Sequence, residues 1–89
     1  MLTLTRRVGQ AFLIGDDLEL LLTAIRHQEV DLLISGSSVD GERTNTMLLG
    51  QPLAVAPGIS VTLFETFRSK AAFTFDLPRE IMVLRKELA

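Results

Sequence analysis

The sequence predicts a single all-β domain with little or no helix, and three observations support this fold class. Short runs of alternating apolar and polar residues recur along the 89-residue chain. Clusters of glycine, proline and aspartate separate these runs, as turn residues separate strands. The run from Ile59 to Thr66 is rich in β-branched residues, which favour strands. A chain of this length forms one domain, which we place over residues 1–89.

The first elements follow from alternation and turn chemistry. Leu2 to Arg7 alternates apolar residues with threonine and predicts a strand, which Val8-Gly9 ends in a turn or bulge. Gln10 to Ile14 predicts a second strand, followed by the turn cluster Gly15-Asp16-Asp17. The leucine-rich segment 18–25 is ambiguous, because its leucines fit both helical spacing and strand alternation.

An internal repeat resolves this ambiguity in favour of a strand. An offset of 41 residues aligns three pairs of segments: 8–10 with 49–51, 18–22 with 59–63, and 30–35 with 71–76. Few aligned positions are identical, so a chance alignment of two β-rich halves is the alternative. We expect repeat units over about 1–40 and 41–89 that share one core, with a small, polar joint around residues 35–43. A last strand is expected over Ile81 to Leu84.

Composition excludes several classes of site. The chain has no Cys, and His27 is its single histidine, so neither a thiolate zinc site nor a histidine metal cluster is expected. No combination of nucleophile, base and orienting group is visible, so we expect no enzyme and no cofactor. No apolar run approaches the roughly 20 residues of a membrane span, and we expect a cytoplasmic protein with no membrane contact.

The charge balance sets a condition on any nucleic-acid partner. The formal net charge is -2 and the pI is near 5.2, so no overall positive field would attract a polyanion. Nucleic-acid binding would therefore require a local basic patch. Hydrophobic residues make up 47% of the chain, which raises the alternative of self-association or a protein partner.

The two ends of the chain carry a resemblance to a known family. Residues 1–10, MLTLTRRVGQ, with Ile14-Gly15-Asp16 after them, closely resemble the start of the carbon storage regulator family (CsrA, also called RsmA). Residues 78–87, PREIMVLRKE, resemble that family's last strand. Members of that family are short five-stranded chains that form an intertwined homodimer. They bind GGA-containing hairpin loops in messenger leaders, often blocking ribosome access, and the resemblance implies a related fold and ligand here.

This chain is similar to two such units fused. The resemblance therefore implies intertwined antiparallel sheets in a single-chain pseudo-dimer, with the first unit's last strand missing. A monomer is favoured on this view, and a homodimer is left open.

The family's RNA site is composite, with the first strand of one unit beside the last strand of the other. Carried over to this sequence, the resemblance implies one site formed by Leu4, Arg6, Arg7, Val83 and Arg85. At the positions that match the first strand, the second unit offers Asn45, Met47 and Leu48, so the second site is expected to be lost. Alternation also implies that Arg6 and Arg7 point to opposite faces, so both reach one ligand only at an edge or a twisted end.

Each site residue also has a purely structural interpretation. The arginine pair could be solvated, the stem of Arg85 could cover apolar surface, and Leu4 and Val83 could be packing residues. Loop cations that could widen a positive patch are Arg68, Lys70 and Arg79.

Two functions are carried forward. The first is an RNA-binding translational regulator whose partner is a messenger leader or a small regulatory RNA. The alternative is a degenerate family member that acts through contacts with other regulator chains or their partners, which the acidic pI and the apolar trio Met47-Leu48-Leu49 favour.

Overall fold

Strands of two antiparallel sheets account for most of residues 2–36 and 41–86, which are the residues that the computed structural model describes. The strands are β1 (Leu2–Arg7), β2 (Ala11–Ile14), β3 (Leu18–Arg26), β4 (Glu29–Ser35), β5 (Arg43–Leu48), β6 (Pro52–Ala56), β7 (Ile59–Thr66), β8 (Lys70–Asp76) and β9 (Val83–Lys86). No helix occurs within these two ranges. The all-β expectation is confirmed, and the ambiguous segment 18–25 is a strand.

Each sheet contains strands from both halves of the chain. The four-stranded sheet has the order β1-β8-β7-β6, so the first strand of the chain lies beside strands of the second half. The five-stranded sheet has the order β5-β4-β3-β2-β9, so strands β5 and β9 of the second half flank β2–β4 of the first. All strand pairs are antiparallel.

The 41-residue offset recurs in the backbone hydrogen bonds. The amide of Gly9 donates to the carbonyl of Leu22 over 2.8 Å, and the amide of Gly50 donates to the carbonyl of Leu63 over 2.8 Å. A register shift follows Leu22 in β3 and follows Leu63 in β7. Gly9 and Gly50 both have positive φ, at 90° and 81°, which L-residues with a Cβ adopt only under strain. The two turns therefore need glycine for the same conformational reason.

Three phenylalanines join the two sheets. Phe12 of β2 lies 5.5 Å from Phe73 and 5.0 Å from Phe75, centroid to centroid, and both contacts are edge-to-face. All three rings are fully buried, and Phe73 and Phe75 belong to β8 of the opposite sheet. Burial of each such side chain contributes roughly 1.5–3 kcal/mol. Phe12 is therefore a central contact between the sheets.

The last strand lies two residues later than alternation predicts. The expected strand was Ile81 to Leu84, whereas β9 is Val83–Lys86. Its position is set by pairing with β2, where Val83 lies opposite Ile14 and Lys86 opposite Ala11. Alternation alone could not locate this partner. Part of the predicted joint, residues 37–40, and the end of the chain, residues 87–89, lie outside the described residues.

Residues 2–36 and 41–86 contain no helix that is long and apolar enough to cross a membrane.

Candidate nucleic-acid interface

Strands β1 and β9 are edge strands of different sheets, and the fold brings them together. Arg6 Nη1 donates to the backbone carbonyl of Lys86 over 3.2 Å, which joins residues 80 positions apart in the chain. We call this junction the β1/β9 seam. This contact brings the beginning of the chain close to its end, with β1 and β9 in different sheets. The composite site that the resemblance implies stays a prediction.

The two arginines of β1 have opposite environments. Arg6 is 6% exposed, and its Nε also donates to the carbonyl of Thr5 over 3.3 Å. Arg7 is exposed, and its backbone amide donates to Gln10 Oε1 over 3.0 Å. Successive side chains of a strand point to opposite faces, so this difference follows from the pleat. Arg7 presents its guanidinium to solvent, whereas Arg6 is held inside the seam.

The remaining predicted site residues divide in the same way. Leu4 and Val83 are partly buried and pack against the core, as their structural interpretation implied. Arg85 is exposed and lies opposite Phe12 in the ladder between β2 and β9. Arg85 therefore projects from the edge strand beside the buried phenylalanine.

An ion pair also holds β9 in place. Lys86 Nζ lies 2.7 Å from Glu19 Oε1, which connects β9 to β3 across the intervening β2. Both side chains are partly exposed, so solvent screens this pair and its contribution to stability is small. Lys86 is therefore held at two points: its side chain pairs with Glu19, and its carbonyl accepts a hydrogen bond from Arg6.

The matching positions of the second half lack this chemistry. Met47 of β5 matches Arg6 by the 41-residue offset and is 1% exposed. Leu48 matches Arg7 and is 52% exposed. An apolar pair therefore occupies the place of the two arginines.

Strand β6 has no outer neighbour among the described residues, and Pro52 explains why pairing is disfavoured there. In the matching strand β2, the amide of Gly15 donates to the carbonyl of Met82 over 2.8 Å. Antiparallel ladders bond at every second residue, so Ala11 bonds to Lys86 in the same way. The residue that matches Ala11 is Pro52, which has no N–H to donate. The 41-residue alignment contains this signal, and sequence reasoning missed it.

A second feature that sequence reasoning missed is an ionic cluster around Arg26. Its guanidinium donates to Glu29 Oε1 over 2.7 Å and to the two carboxylate oxygens of Asp31 over 2.9 and 2.7 Å. Thr46 Oγ1 also donates to Asp31 Oδ1 over 2.7 Å. These hydrogen bonds, with that from Arg26 dominant, lower the pKa of the Asp31 carboxyl to about 2. Arg26 is thus neutralised by its neighbours and is a poor contact for a polyanion.

Family models, curated proteins and solved structures give no match to this chain. Within residues 2–36 and 41–86, no group of three or more His, Asp or Glu side chains is placed to hold a metal ion. The structure defines the class: this is a small β protein of two sheets, each of which contains strands from both halves of the chain.

Proposed function

We propose that this chain is an RNA-binding translational regulator with one site at the β1/β9 seam. The observation that carries the proposal is the hydrogen bond from Arg6 to Lys86, which brings the two ends of the chain together beside exposed Arg7 and Arg85. The ligand is a GGA-containing hairpin loop of a messenger leader or a small regulatory RNA, as the resemblance to the carbon storage regulator family implies. Such a function is exercised in the cytoplasm.

The strand arrangement supports an intertwined pseudo-dimer. Each sheet takes strands from both halves, as an intertwined dimer of two separate chains would require. The replacement of the arginines by Met47 and Leu48 supports the loss of the second site, as does Pro52 on an edge that has no outer strand among the described residues. One bound loop per chain follows, so the chain could not bridge two sites on one transcript and gain avidity from it.

The site residues have distinct roles in this proposal. A guanidinium group can bond bidentately to a phosphate or to the O6 and N7 edge of guanine, and exposed Arg7 and Arg85 supply two such groups. Arg6 is a positioning residue that ties β9 to β1. Leu4 and Val83 provide apolar surface beside an unstacked base.

The test is a titration of a GGA hairpin RNA, at stated salt, against the wild type, Arg7→Ala and Arg85→Ala. We expect one RNA per chain, and roughly 5- to 150-fold weaker binding for each variant if each loses a bidentate contact. Arg43→Ala is the matched control, because Arg43 is an exposed arginine at the start of the opposite edge strand β5. Equal affinity of all four proteins, or equal affinity for a hairpin without GGA, would contradict the proposal. Binding of two RNAs per chain would contradict the single site.

A protein-interaction role is the second candidate function, and the outer face of the five-stranded sheet favours it. Its strands carry outward leucines that do not belong to the core: Leu13, Leu21, Leu33 and Leu84. Cross-strand pairing places Leu13 opposite Leu84 and Leu21 opposite Leu33. At the 41-residue offset, Leu13, Leu21 and Leu33 match Ala54, Thr62 and Thr74 of the four-stranded sheet. We call the four leucines the leucine face.

A second copy of the chain suits the leucine face. Charged side chains on this face are paired, Glu19 with Lys86 and Arg26 with Glu29 and Asp31. One carboxylate is left in excess, so repulsion between the like charges of two copies is small. Packing of two sheets through apolar side chains is an ordinary arrangement for β proteins. The proposed interface lies on the outer side of the sheet, whereas the β1/β9 seam lies at its edge.

Solution mass tests this second function. We expect the wild type to dimerise as its concentration rises through the micromolar range, and the double variant Leu21→Thr with Leu33→Thr to remain monomeric. Threonine is the residue at both matching positions, Thr62 and Thr74, so the change suits an exposed strand. Sedimentation equilibrium measures both masses. A wild type that stays monomeric throughout the range would rule out this dimer.

A further inference from the structure

A cleft lies between the turn of the β3–β4 hairpin and the turn of the β7–β8 hairpin. Its volume is about 370 Å³, which is within the usual range of ligand sites. The lining residues are Ile25, Arg26, His27, Thr66, Phe67 and Arg68. They form three pairs at the 41-residue offset, so equivalent positions of the two halves face one another.

The two walls of the cleft differ in chemistry. On the β7–β8 side, Phe67 is 41% exposed, and Lys70 Nζ lies 5.2 Å from the centroid of its ring. Arg68 lies next to this ring in the chain. On the β3–β4 side, the guanidinium of Arg26 is neutralised by Glu29, which is the residue that matches Lys70. One wall is therefore cationic and aromatic, and the other has no excess of positive charge.

The cationic wall extends to β1, the strand whose Arg6 contacts β9 at the seam. Arg7 lies directly opposite Lys70 in the ladder between β1 and β8, so their side chains share one face of the four-stranded sheet. Lys70 in turn lies over the ring of Phe67, which lines the cleft. We call Arg7, Lys70, Phe67 and Arg68 the basic track.

The equivalent path in the other half carries no such charge. Leu48 matches Arg7, and it lies opposite Glu29 in the ladder between β4 and β5. Arg26 and His27 match Phe67 and Arg68. The basic track therefore occurs on the side of the molecule where β1 and β9 meet, and its counterpart on the other side has an apolar and an acidic residue at its start.

We propose that the RNA strand continues from the seam along the basic track and stacks an unpaired base on Phe67. An exposed aromatic ring stacks with any base, because every base has a π-face, so this contact would add affinity without sequence preference. Lys70 and Arg68 would contact the phosphates on either side of the stacked nucleotide. The inference rests on the proposed RNA-binding function and assigns to it a subsite for nucleotides that flank the GGA element.

The test compares two unpaired RNAs, a short one limited to the GGA element and a long one with several added nucleotides on each side. For the wild type we expect the long RNA to bind roughly 5- to 150-fold more tightly, the range measured for loss of one base–aromatic stack. Phe67→Ala should lose most of this difference and bind the short RNA as the wild type does. Phe64→Ala is the matched control, since Phe64 is 61% exposed and does not line the cleft.

Two further measurements separate stacking from charge. A long RNA with abasic flanks keeps its phosphates, so it should lose the part of the affinity that depends on Phe67. Arg68→Ala should reduce the slope of log affinity against log salt by roughly one for the long RNA, whereas Phe67→Ala should leave that slope unchanged.

The outcomes distinguish the inference from the function on which it rests. Equal affinity of the wild type for the short and long RNAs, with binding still dependent on GGA, would overturn the subsite and leave the function standing. Equal losses in Phe64→Ala and Phe67→Ala would also overturn it. Failure of the wild type to bind either RNA would overturn both proposals.

Discussion

Replacement of Phe12 by alanine is expected to lower the free energy of unfolding by about 3–5 kcal/mol, the usual cost of removing a buried phenylalanine ring. The ring is 1% exposed and contacts Phe73 and Phe75 of the opposite sheet. Its removal would leave a cavity between the sheets and would also lose both edge-to-face contacts. Domains of this length have total stabilities of roughly 4–13 kcal/mol. The variant is therefore expected to unfold at much lower denaturant concentration.

Phe64→Ala is the matched control for this substitution. Phe64 is 61% exposed on β7 of the opposite sheet, so the same change there should alter the free energy of unfolding by less than about 0.5 kcal/mol. Urea denaturation followed by far-ultraviolet circular dichroism measures both variants. A cost for Phe12→Ala no larger than that for Phe64→Ala would contradict the packing between the two sheets.

The second large effect is expected on RNA affinity, from Arg6→Met. Met47 occupies the matching position in the second half and is fully buried, so methionine suits a buried position at this place in the repeat. It has no hydrogen to donate to the Lys86 carbonyl, and β9 would lose its side-chain link to β1. We expect at least about tenfold weaker binding of the GGA hairpin, a change of roughly 1.4 kcal/mol. Loss of the charged hydrogen bonds should lower the free energy of unfolding by no more than about 3 kcal/mol.

Hydrogen exchange of the β9 amides identifies how Arg6 acts. If Arg6 positions β9, exchange of these amides should accelerate in Arg6→Met along with the loss of affinity. Met47→Leu is the control, since it changes a buried side chain of similar size at the matching position of the opposite edge. A loss of affinity with unchanged β9 exchange would contradict a positioning role and would favour direct contact of Arg6 with RNA.

The strands were largely predictable because their determinants are local. Alternation and turn residues located β1 and β2, and the repeat settled the ambiguity in β3 that helical spacing of its leucines had created. The boundaries of β9 were wrong by two residues, since pairing with β2 rather than the local pattern sets them. Arg26 and Asp31 lie on the two strands of the β3–β4 hairpin. No local signal in the sequence indicates the geometry of the hydrogen bonds between them.

The site shows a similar division between local and long-range causes. Alternation predicted that Arg6 and Arg7 point to opposite faces, which is how they lie. Alternation could not show which of the two faces is exposed to solvent, because that depends on which face packs against the other sheet. Among the described residues β6 has no outer neighbour, and Pro52 is a local signal that pairing is disfavoured there. The signal could be interpreted only by comparison with the matching strand β2, which pairs with β9.

By itself, the sequence determined the type and order of the strands, their turns and the residues that each strand offers to its two faces. These properties depend on neighbours a few positions away, through the pleat and through residues such as glycine that permit positive φ. Tertiary structure alone decided that β1 contacts β9 and that Arg6 is buried at their junction. It also decided that Arg7 lies opposite Lys70, which in turn lies over the ring of Phe67. These contacts join distant parts of the chain, and their formation depends on the packing of whole sheets rather than on any local pattern.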